Sequence, residues 1–249
     1  MKLALYSDVH LEFGDWQPPA DDADAIILAG DMGEPPQVIQ WIKEHYNKPV
    51  IYVPGNHEYY DNEYHQVNQY LTEQAQDSNI FILQNRSLEL NGVRFLGTTL
   101  WSGFDLYQDE PDCREKYGKI AAEGLSDFKR IKVGETAMTP KAMTHLYETS
   151  LAWLTAQLEK PYAGTTAVIT HFLPSLKSCP EKYLQHPWVP YFIANCEHLI
   201  HEHQPAVWLH GHSHECVDYK IGNTRIVANQ LGYAWERSEV FKDNLSIEI

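Results

Sequence analysis

The chain has 249 residues, of which 43% are hydrophobic, and this length allows one substantial buried core. Its 34 acidic residues outnumber its 19 basic residues, which gives a formal net charge of −15. Such a charge repels the phosphate backbone of long nucleic acids, so nucleic-acid binding is disfavoured as the main function.

The cysteines and the apolar stretches favour a cytoplasmic protein with reduced thiols. The four cysteines are widely spaced, form no CxxC pair, and lie at positions 113, 179, 196 and 216. The N-terminal apolar stretch ends at the polar residue Asp8, which argues against a cleavable signal peptide. No apolar run approaches the roughly 18 residues needed to span a membrane.

The first hundred residues predict strands that alternate with helices. Apolar periodicity predicts a first helix over residues 37–46 and a second over 61–76, with Asp61 as the N-cap of the second. Strands are predicted at 80–83, 87–90 and 93–97. The last two are joined by Asn91-Gly92, which is typical of a type I′ hairpin.

Residues 101–138 show no clear period and are predicted to form a variable cap region. Thr139 and Pro140 are the expected N-cap and first residue of a helix with an apolar stripe over 143–158. A further helix is predicted over 192–203 and a closing hairpin over 219–227. These patterns predict a single α/β domain over residues 1–249, built as a two-sheet β-sandwich flanked by helices.

Five apolar runs, at residues 3–6, 25–29, 50–53, 167–169 and 206–209, are also predicted to be buried strands. A polar cluster follows each of them at the strand end, where functional sites are usually built. The clusters are Asp8-Val9-His10, Gly30-Asp31, Gly55-Asn56-His57-Glu58, Thr170-His171 and Gly211-His212-Ser213-His214. Two adjacent divalent ions repel each other, and a carboxylate placed between them offsets that repulsion; Asp31 is the natural bridge. Imidazole, carboxylate and amide ligands suit ions such as Mn, Fe and Zn.

In this order, the five motifs resemble those of the calcineurin-like metallophosphoesterase superfamily over nearly the whole chain. The resemblance implies a four-layer α-β-β-α fold and two divalent metal ions with a bridging hydroxide. It implies one ion held by Asp8, His10, Asp31 and His214, and a second held by Asp31, Asn56, His171 and His212. His57 would not be a ligand; it would face the phosphoryl group as leaving-group acid or transition-state donor.

Departures from the family pattern narrow the expected substrate. Gly30-Asp31 is followed by Met32-Gly33, not by the Asp-Arg-Gly of protein phosphatases. Glu58 stands where cyclic-nucleotide phosphodiesterases of the family usually have Asp, a weak argument against that branch. The tail over 229–233 resembles the Asn-Pro-Arg-Gly-Tyr ending of small bacterial phosphoesterases, but Gln230 and Leu231 replace the Pro-Arg pair.

The sequence therefore predicts a metal-dependent phosphoesterase that hydrolyses mono- or diesters of a small or nucleotide-like substrate. The alternative is a non-catalytic metal-binding scaffold that binds a protein partner.

Several individual roles stay open. Glu58 either orients His57 or a ligand, or lies on the surface. His210 either orients a ligand or only ends a strand. Lys129 and Arg130 either hold the non-reacting part of the substrate or are solvated. The histidines of 198–203 resemble a metal-binding helix, but Leu199 and Ile200 favour an amphipathic core helix with surface histidines.

Overall fold

The computed structural model of the protein describes residues 1–20 and 22–249. Its strands are β1 (Lys2–Tyr6), β2 (Ala25–Ala29), β3 (Val50–Val53), β4 (Ile80–Ile82), β5 (Arg86–Leu90), β6 (Val93–Thr98), β7 (Lys132–Val133), β8 (Thr136–Ala137), β9 (Thr165–Thr170), β10 (Val207–His210), β11 (Val217–Ile221), β12 (Thr224–Ala228) and β13 (Ser246–Glu248). Its α-helices are α1 (Pro35–His45), α2 (Tyr64–Gln74), α3 (Cys113–Gly124), α4 (Asp127–Arg130), α5 (Pro140–Leu158), α6 (Val189–Phe192) and α7 (Glu197–His203).

Two large sheets organise these strands. One has the order β13-β1-β2-β3-β4, in which β1 to β4 are parallel and β13 is antiparallel. The other has the order β11-β12-β10-β9-β6-β5, in which the four central strands are parallel and the two edge strands are antiparallel. Because parallel strands end at the same edge, each sheet collects the loops that follow its central strands along one side.

The central layer of the core lies between the two sheets. Leu3 and Leu5 of β1 and Ile27 of β2 form one buried cluster with Phe95 of β6 and Ile169 of β9. Alternate residues of a strand point to opposite faces, so these residues face the other sheet. The near-continuous apolar strands of the sequence are therefore explained by burial on both faces.

The outer faces of the sheets carry the helices. Tyr6 of β1 and Ile26 of β2 share a second buried cluster with Val38 of α1 and Leu71 of α2. The resulting order of layers is helix, sheet, sheet, helix, and the predicted two-sheet sandwich flanked by helices is confirmed. In the part of the chain that the structure describes, every helix is too short or too polar to cross a bilayer.

The turn and cap predictions are confirmed at two places. Asn91 and Gly92 have φ values of 50° and 78°, the positive sign that a type I′ turn requires at both residues. The Thr139 side chain accepts a hydrogen bond of 3.1 Å from the backbone N–H of Ala142. It therefore caps the helix that Pro140 begins.

Two helix predictions were wrong in detail. The second helix begins at Tyr64, because Asp61 has a φ of 62° and pairs with Arg130, while Glu63 supplies the cap by accepting from Gln66 N–H. The helix predicted over 192–203 is confirmed only from Glu197 onwards, as α7, because α6 already ends at Phe192 and residues 193–196 are not helical. Asn195, with a φ of 48°, interrupts it. Segment 101–138 contains α3, α4 and the hairpin of β7 and β8, which its mixed composition did not reveal.

Candidate metal centre and substrate pocket

The loops after β1, β2, β3, β9 and β10 converge at one edge of the sandwich, and two hydrogen bonds connect the two sheets there. The Asp8 carboxylate accepts from the backbone N–H of His212 at 3.0 Å. His171 Nδ1 lies 2.8 Å from the carbonyl oxygen of Ala29. All five predicted polar clusters are therefore brought together, although they are distant in sequence.

The backbone at this edge is strained. Asp8, His10, Asp31, His212 and His214 have φ values of 53°, 52°, 52°, 82° and 55°. The left-handed region costs a non-glycine residue on the order of 1 kcal/mol or more, and such residues concentrate at functional sites because the surrounding fold holds them. The strain at five of the predicted site residues supports a functional interpretation of this edge.

Two glycines let the candidate ligands approach the backbone closely. A Cβ at Gly30 would lie 2.3 Å from His171 Nδ1, and one at Gly55 would lie 2.1 Å from Asp31 Oδ1. Any side chain at either position would displace a neighbouring candidate ligand. Gly30 and Gly55 are therefore part of the site.

Asp8, His10 and His214 form the first group of candidate ligands. Nε2 of His10 lies 3.1 Å from Nε2 of His214, which in turn lies 3.6 Å from Asp8 Oδ1. Burial and the nearby His10 lower the pKa of His214 to about 3, so its ring is neutral near pH 7. A neutral imidazole is the form that binds a metal ion.

Asp31, Asn56, His171 and His212 form the second group. Nε2 of His171 lies 3.1 Å from Asn56 Oδ1 and 3.4 Å from Asp31 Oδ1. Although burial opposes a charge on the ring, the carboxylates of Asp31 and Asp8 raise the pKa of His171 to about 9. In this structure a proton on His171 therefore balances charge that a metal ion would otherwise balance.

Asp31 lies between the two groups. Its Oδ1 faces His171, and its Oδ2 lies 3.9 Å from Nε2 of His10. Burial alone would raise the pKa of this carboxyl, but the neighbouring histidines lower it well below its usual value. The Asp31 carboxylate is thus ionised and presents one oxygen to each group.

The donor atoms fit divalent cations. Nε2 of His212 is buried and has no hydrogen-bond partner among the residues that the structure describes. Since a carbonyl oxygen only accepts, Nδ1 of His171 donates to Ala29, and Nε2 faces Asn56 Oδ1 and Asp31 Oδ1. A metal ion that replaced the proton on Nε2 would meet the lone pair of that nitrogen together with those of the two oxygens. Lone pairs that converge in this way repel each other unless a cation lies between them.

His57 lies beside both groups and is held by two side chains. Its Nδ1 is 3.1 Å from Glu12 Oε1, and its Nε2 is 3.2 Å from the hydroxyl of Tyr233. Burial opposes protonation of the ring, but the charges of Asp31 and Glu12 raise the pKa of His57 above its usual value. His57 is therefore suited to carry a proton at Nε2.

Glu12 is a site residue that the motif analysis missed. Its Oε1 accepts from Nδ1 of His10 at 3.0 Å as well as from His57. Burial opposes ionisation, yet these two hydrogen bonds lower the pKa of Glu12 to about 2. The spacing Asp-x-His-x-Glu over residues 8–12 was the available signal, because the carboxylate follows the histidine by two residues.

Glu58 is fully buried, so the surface alternative was wrong. Its carboxylate accepts from the backbone N–H groups of Asp31, Met32 and Gly55 at 3.1, 2.7 and 2.7 Å. The Tyr52 hydroxyl donates to it at 2.6 Å. Glu58 therefore joins the loops after β2 and β3 and orients Asp31 through its backbone.

Asp127 fixes the orientation of Asn56. The buried carboxylate accepts from Asn56 Nδ2 at 3.1 Å and from the hydroxyls of Tyr60 and Tyr191 at 2.8 and 2.5 Å. Because a carboxylate accepts, the amide nitrogen faces Asp127 and Asn56 Oδ1 faces His171. In the sequence of 126–130 the cations Lys129 and Arg130 were the evident candidates, because no periodic pattern marked Asp127 as buried.

The tail over 229–233 supports the site through Gln230 and Tyr233. Gln230 is buried; its Oε1 accepts from His214 N–H at 2.6 Å and its Nε2 donates to the Glu215 carbonyl at 2.7 Å. This glutamine therefore positions the loop of His214, in the place where the resembled group has proline.

His210 and the histidines of α7 lie outside the ligand groups. His210 is buried, with Nε2 2.9 Å from Ser178 Oγ and Nδ1 3.1 Å from the Gly211 carbonyl, so it joins β10 to a neighbouring loop. His198 and His201 are exposed, whereas Leu199 and Ile200 are buried, as an amphipathic helix requires.

A pocket of about 480 Å³ opens beside the candidate ligands Asp31, Asn56 and His212. Its wall comes from two segments, 124–127 and 179–192, which we call the pocket wall. Lys129 and Arg130 do not line the pocket. Lys129 is exposed, and Arg130 pairs with Asp61 and lies over the Tyr60 ring at 4.4 Å.

The two-sheet sandwich, with two groups of donor side chains at one edge, defines an α/β protein with a candidate metal centre. Residues 1–216 match the calcineurin-like phosphoesterase family, so the chain belongs to that family, as its motifs predicted.

Three relatives extend the comparison. An uncharacterized protein of Acanthamoeba polyphaga mimivirus is 28% identical in a match that covers 96% of this chain and 94% of that protein. The solved structure of phosphopantetheinyl hydrolase from Mycobacterium tuberculosis has a TM-score of 0.74 at 18% identity, over 93% of this chain and 89% of the other. A dimetal phosphatase from Danio rerio has a TM-score of 0.56 at 14% identity, over 93% and 87% of the two chains. At these identities the two solved structures indicate a shared fold.

Proposed function

We propose that the protein is a metal-dependent phosphoesterase that hydrolyses mono- or diester bonds of a small phosphorylated substrate. The observation that carries this proposal is the position of Asp31. Its two carboxylate oxygens face separate groups of nitrogen and oxygen donors, one of which includes the unpartnered Nε2 of His212. A bridging carboxylate between two donor groups is the arrangement that two adjacent divalent ions require.

The ligand assignment follows from the two groups. Asp8, His10, Asp31 and His214 would hold one ion, and Asp31, Asn56, His171 and His212 would hold the other. When bound, two divalent ions such as Mn, Fe or Zn would polarise the phosphoryl oxygens and lower the pKa of a water molecule. Glu12, Glu58, Asp127 and Gln230 act as positioning residues, because each binds a ligand residue or its backbone.

His57 acts on the leaving group. Because Glu12 occupies its Nδ1, the proton available to a substrate is the one at Nε2, beside Tyr233. We assign to this proton the protonation of the leaving oxygen. Glu12 keeps the ring in that orientation and favours its charged form.

Both sheets supply ligand residues, and segment 101–138 supplies Asp127, so we propose that residues 1–249 work as one functional unit. A volume of about 480 Å³ is in the range of small-molecule sites, which supports a small substrate. The fold shared with a phosphopantetheinyl hydrolase makes phosphopantetheinyl esters a reasonable part of a substrate panel, together with nucleoside monophosphates and cyclic nucleotides.

Turnover of 4-nitrophenyl phosphate and bis-(4-nitrophenyl) phosphate tests the proposal. The protein is stripped of metal by chelation, dialysed and then titrated with Mn²⁺. We expect hydrolysis of at least one ester to appear with Mn²⁺ and to be lost in Asp31→Asn. A protein that binds metal and remains folded, yet hydrolyses neither ester nor any member of the panel, would instead be the non-catalytic scaffold.

A further inference from the structure

The pocket wall is aromatic and continues directly to a candidate metal ligand. The Phe192 and Tyr191 rings lie 4.8 and 5.4 Å from the His212 ring. Trp188 and Tyr183, from the same segment of the wall, also line the pocket. An organic group attached to a phosphoryl group at the metal centre would therefore meet ring faces.

Trp188 is held in place by a glycine. A Cβ at Gly124 would lie only 2.2 Å from the indole Cζ2, so the ring packs directly on the backbone at the end of α3. This packing joins the two segments of the wall, 124–127 and 179–192. Trp188 is thus a fixed surface of the pocket, and any side chain at position 124 would displace it.

The pocket supplies no side-chain cation to a second anionic group. None of the described residues that line it is a lysine or an arginine. Its titratable members beyond the candidate ligands and His57 include two carboxylates, Asp127 and Glu236, and His186. The Nδ1 atom of His186 accepts from the backbone N–H of Trp188 at 3.2 Å, so this ring is neutral in that arrangement. Arg130 and Lys182 are the cations stacked on pocket-lining rings, over Tyr60 and Tyr183 at 4.4 and 4.9 Å, and neither lines the pocket.

The proposed phosphoesterase function and this lining together limit the substrate. Away from the metal centre and His57, a sulfonate, carboxylate or second phosphate in the pocket would lose water, find no lysine or arginine among the lining side chains, and meet carboxylates of like charge. An uncharged ring would instead stack on Trp188 and its neighbours. We propose that the pocket binds an uncharged aromatic part of a substrate that carries a single phosphoryl group.

A matched series of esters tests both parts of this proposal. Phenyl phosphate is too short to fill the pocket, 2-naphthyl phosphate adds one ring, and 6-sulfonato-2-naphthyl phosphate adds a negative charge at the far end. We expect kcat/KM to rise roughly tenfold or more from phenyl to naphthyl and to fall by a similar factor with the sulfonate. Each compound is also offered as its methyl diester, so that the comparison holds for either ester class.

Trp188 variants test the ring surface. In Trp188→Ala, the preference for naphthyl over phenyl should fall towards unity, mainly through a higher KM for the naphthyl ester. In Trp188→Phe, most of the preference should remain, because an aromatic face is retained. An unchanged preference in a folded Trp188→Ala protein would overturn the assignment of this ring.

Ser126 allows a charge to be introduced into the wall. It is exposed, lines the pocket and caps α4 without a side-chain hydrogen bond. In Ser126→Lys, the discrimination against the sulfonate should shrink about tenfold or reverse, since a cation now faces it. Ser126→Gln has a similar reach without the charge, and should keep the discrimination of the natural protein.

Binding measurements separate this inference from the proposed function. Calorimetric titration of the Mn²⁺-loaded protein with naphthylmethyl phosphonate and its sulfonated analogue measures the pocket without turnover. If no ester of either class is hydrolysed, the proposed function is wrong. The titration alone then tests whether the pocket prefers the neutral aromatic ligand to the sulfonated one. If phenyl phosphate is hydrolysed but the sulfonated ligands bind and react as well as the neutral ones, only the pocket proposal is wrong.

Discussion

The candidate ligand groups and the pocket wall are adjacent surfaces with opposite construction. The ligand groups consist of charged or polar side chains in the loops after strands; most of these side chains are buried, and five of them belong to residues with positive φ. Apart from Asp127 and His186, the pocket-lining side chains of the wall are aromatic, aliphatic or small and neutral, and they come from short helices and loops. Under the proposed function, the ligand groups would set the chemistry at phosphorus, and the wall would select the rest of the substrate.

The largest effect is expected at the bridge between the ligand groups. Asp31→Asn removes the charge that faces both groups, so we expect fewer than two bound metal equivalents and a fall in kcat of at least about 10³-fold, more than loss of a typical single hydrogen-bond donor. Metal analysis after dialysis measures the first quantity. The exposed Asp109→Asn variant serves as the control, and two tightly bound ions in Asp31→Asn would disprove the bridge.

Substitution of His57 should lower the catalytic rate without changing metal binding. His57→Asn should keep its metal ions while kcat falls by roughly 10²–10⁴-fold, the usual scale of general acid catalysis. The loss should be smaller for esters with good leaving groups, since these need less protonation. The exposed His201→Asn variant is the control. Equal losses for good and poor leaving groups would favour electrostatic stabilisation over proton donation.

Substitution of Glu58 tests whether its buried carboxylate stabilises the loops after β2 and β3. Glu58→Ala leaves three backbone N–H groups and the Tyr52 hydroxyl without their acceptor, so the free energy of unfolding should fall by about 3 kcal/mol or more. Denaturant unfolding of the metal-free protein measures this change. Glu44→Ala, on the exposed side of α1, should stay within roughly 0.5 kcal/mol of the natural protein. A similarly small change in Glu58→Ala would show that the hydrogen bonds of Glu58 do not stabilise the two ligand loops.

Glu12 should have a smaller, catalytic effect. Glu12→Gln keeps an acceptor but loses the charge that two histidine rings face, so we expect kcat to fall by about 10–100-fold. KM should change less than kcat, because Glu12 orients His57 and does not line the pocket. The exposed Glu44→Gln variant is the control. A loss confined to KM would instead place Glu12 in substrate binding.

The smallest effect is expected from Lys129 and Arg130, which the sequence offered as candidates for substrate binding. Replacing Lys129 and Arg130 together by alanine should change kcat/KM for 2-naphthyl phosphate by less than about twofold, because exposed charges that do not line the pocket contribute little. The Trp188→Ala variant provides the contrast within the same assay. A tenfold rise in KM for the double variant would restore these residues to the substrate site and contradict our description of the wall.

Some positioning residues were predictable in principle. Glu12 follows His10 in the same loop, and Glu58 follows Asn56 and His57, so local spacing marked both as neighbours of the site. Asp127 is different, because its partners Asn56 and Tyr191 are 71 and 64 residues away along the chain. Its role depends on how α4 packs against the loop after β3, and a single sequence carries no signal of that packing.

The sequence by itself determined the family, the two-sheet fold and the candidate ligands. Apolar strands, strand-end motifs and turn residues such as Asn91-Gly92 are local signals, and local backbone preferences enforce them. Tertiary structure alone decided the separation of α6 from α7, the burial of Asp127 and a pocket lining without lysine or arginine. These features arise where segments distant in sequence meet, as Gly124 meets Trp188, so they depend on packing geometry that no local pattern encodes.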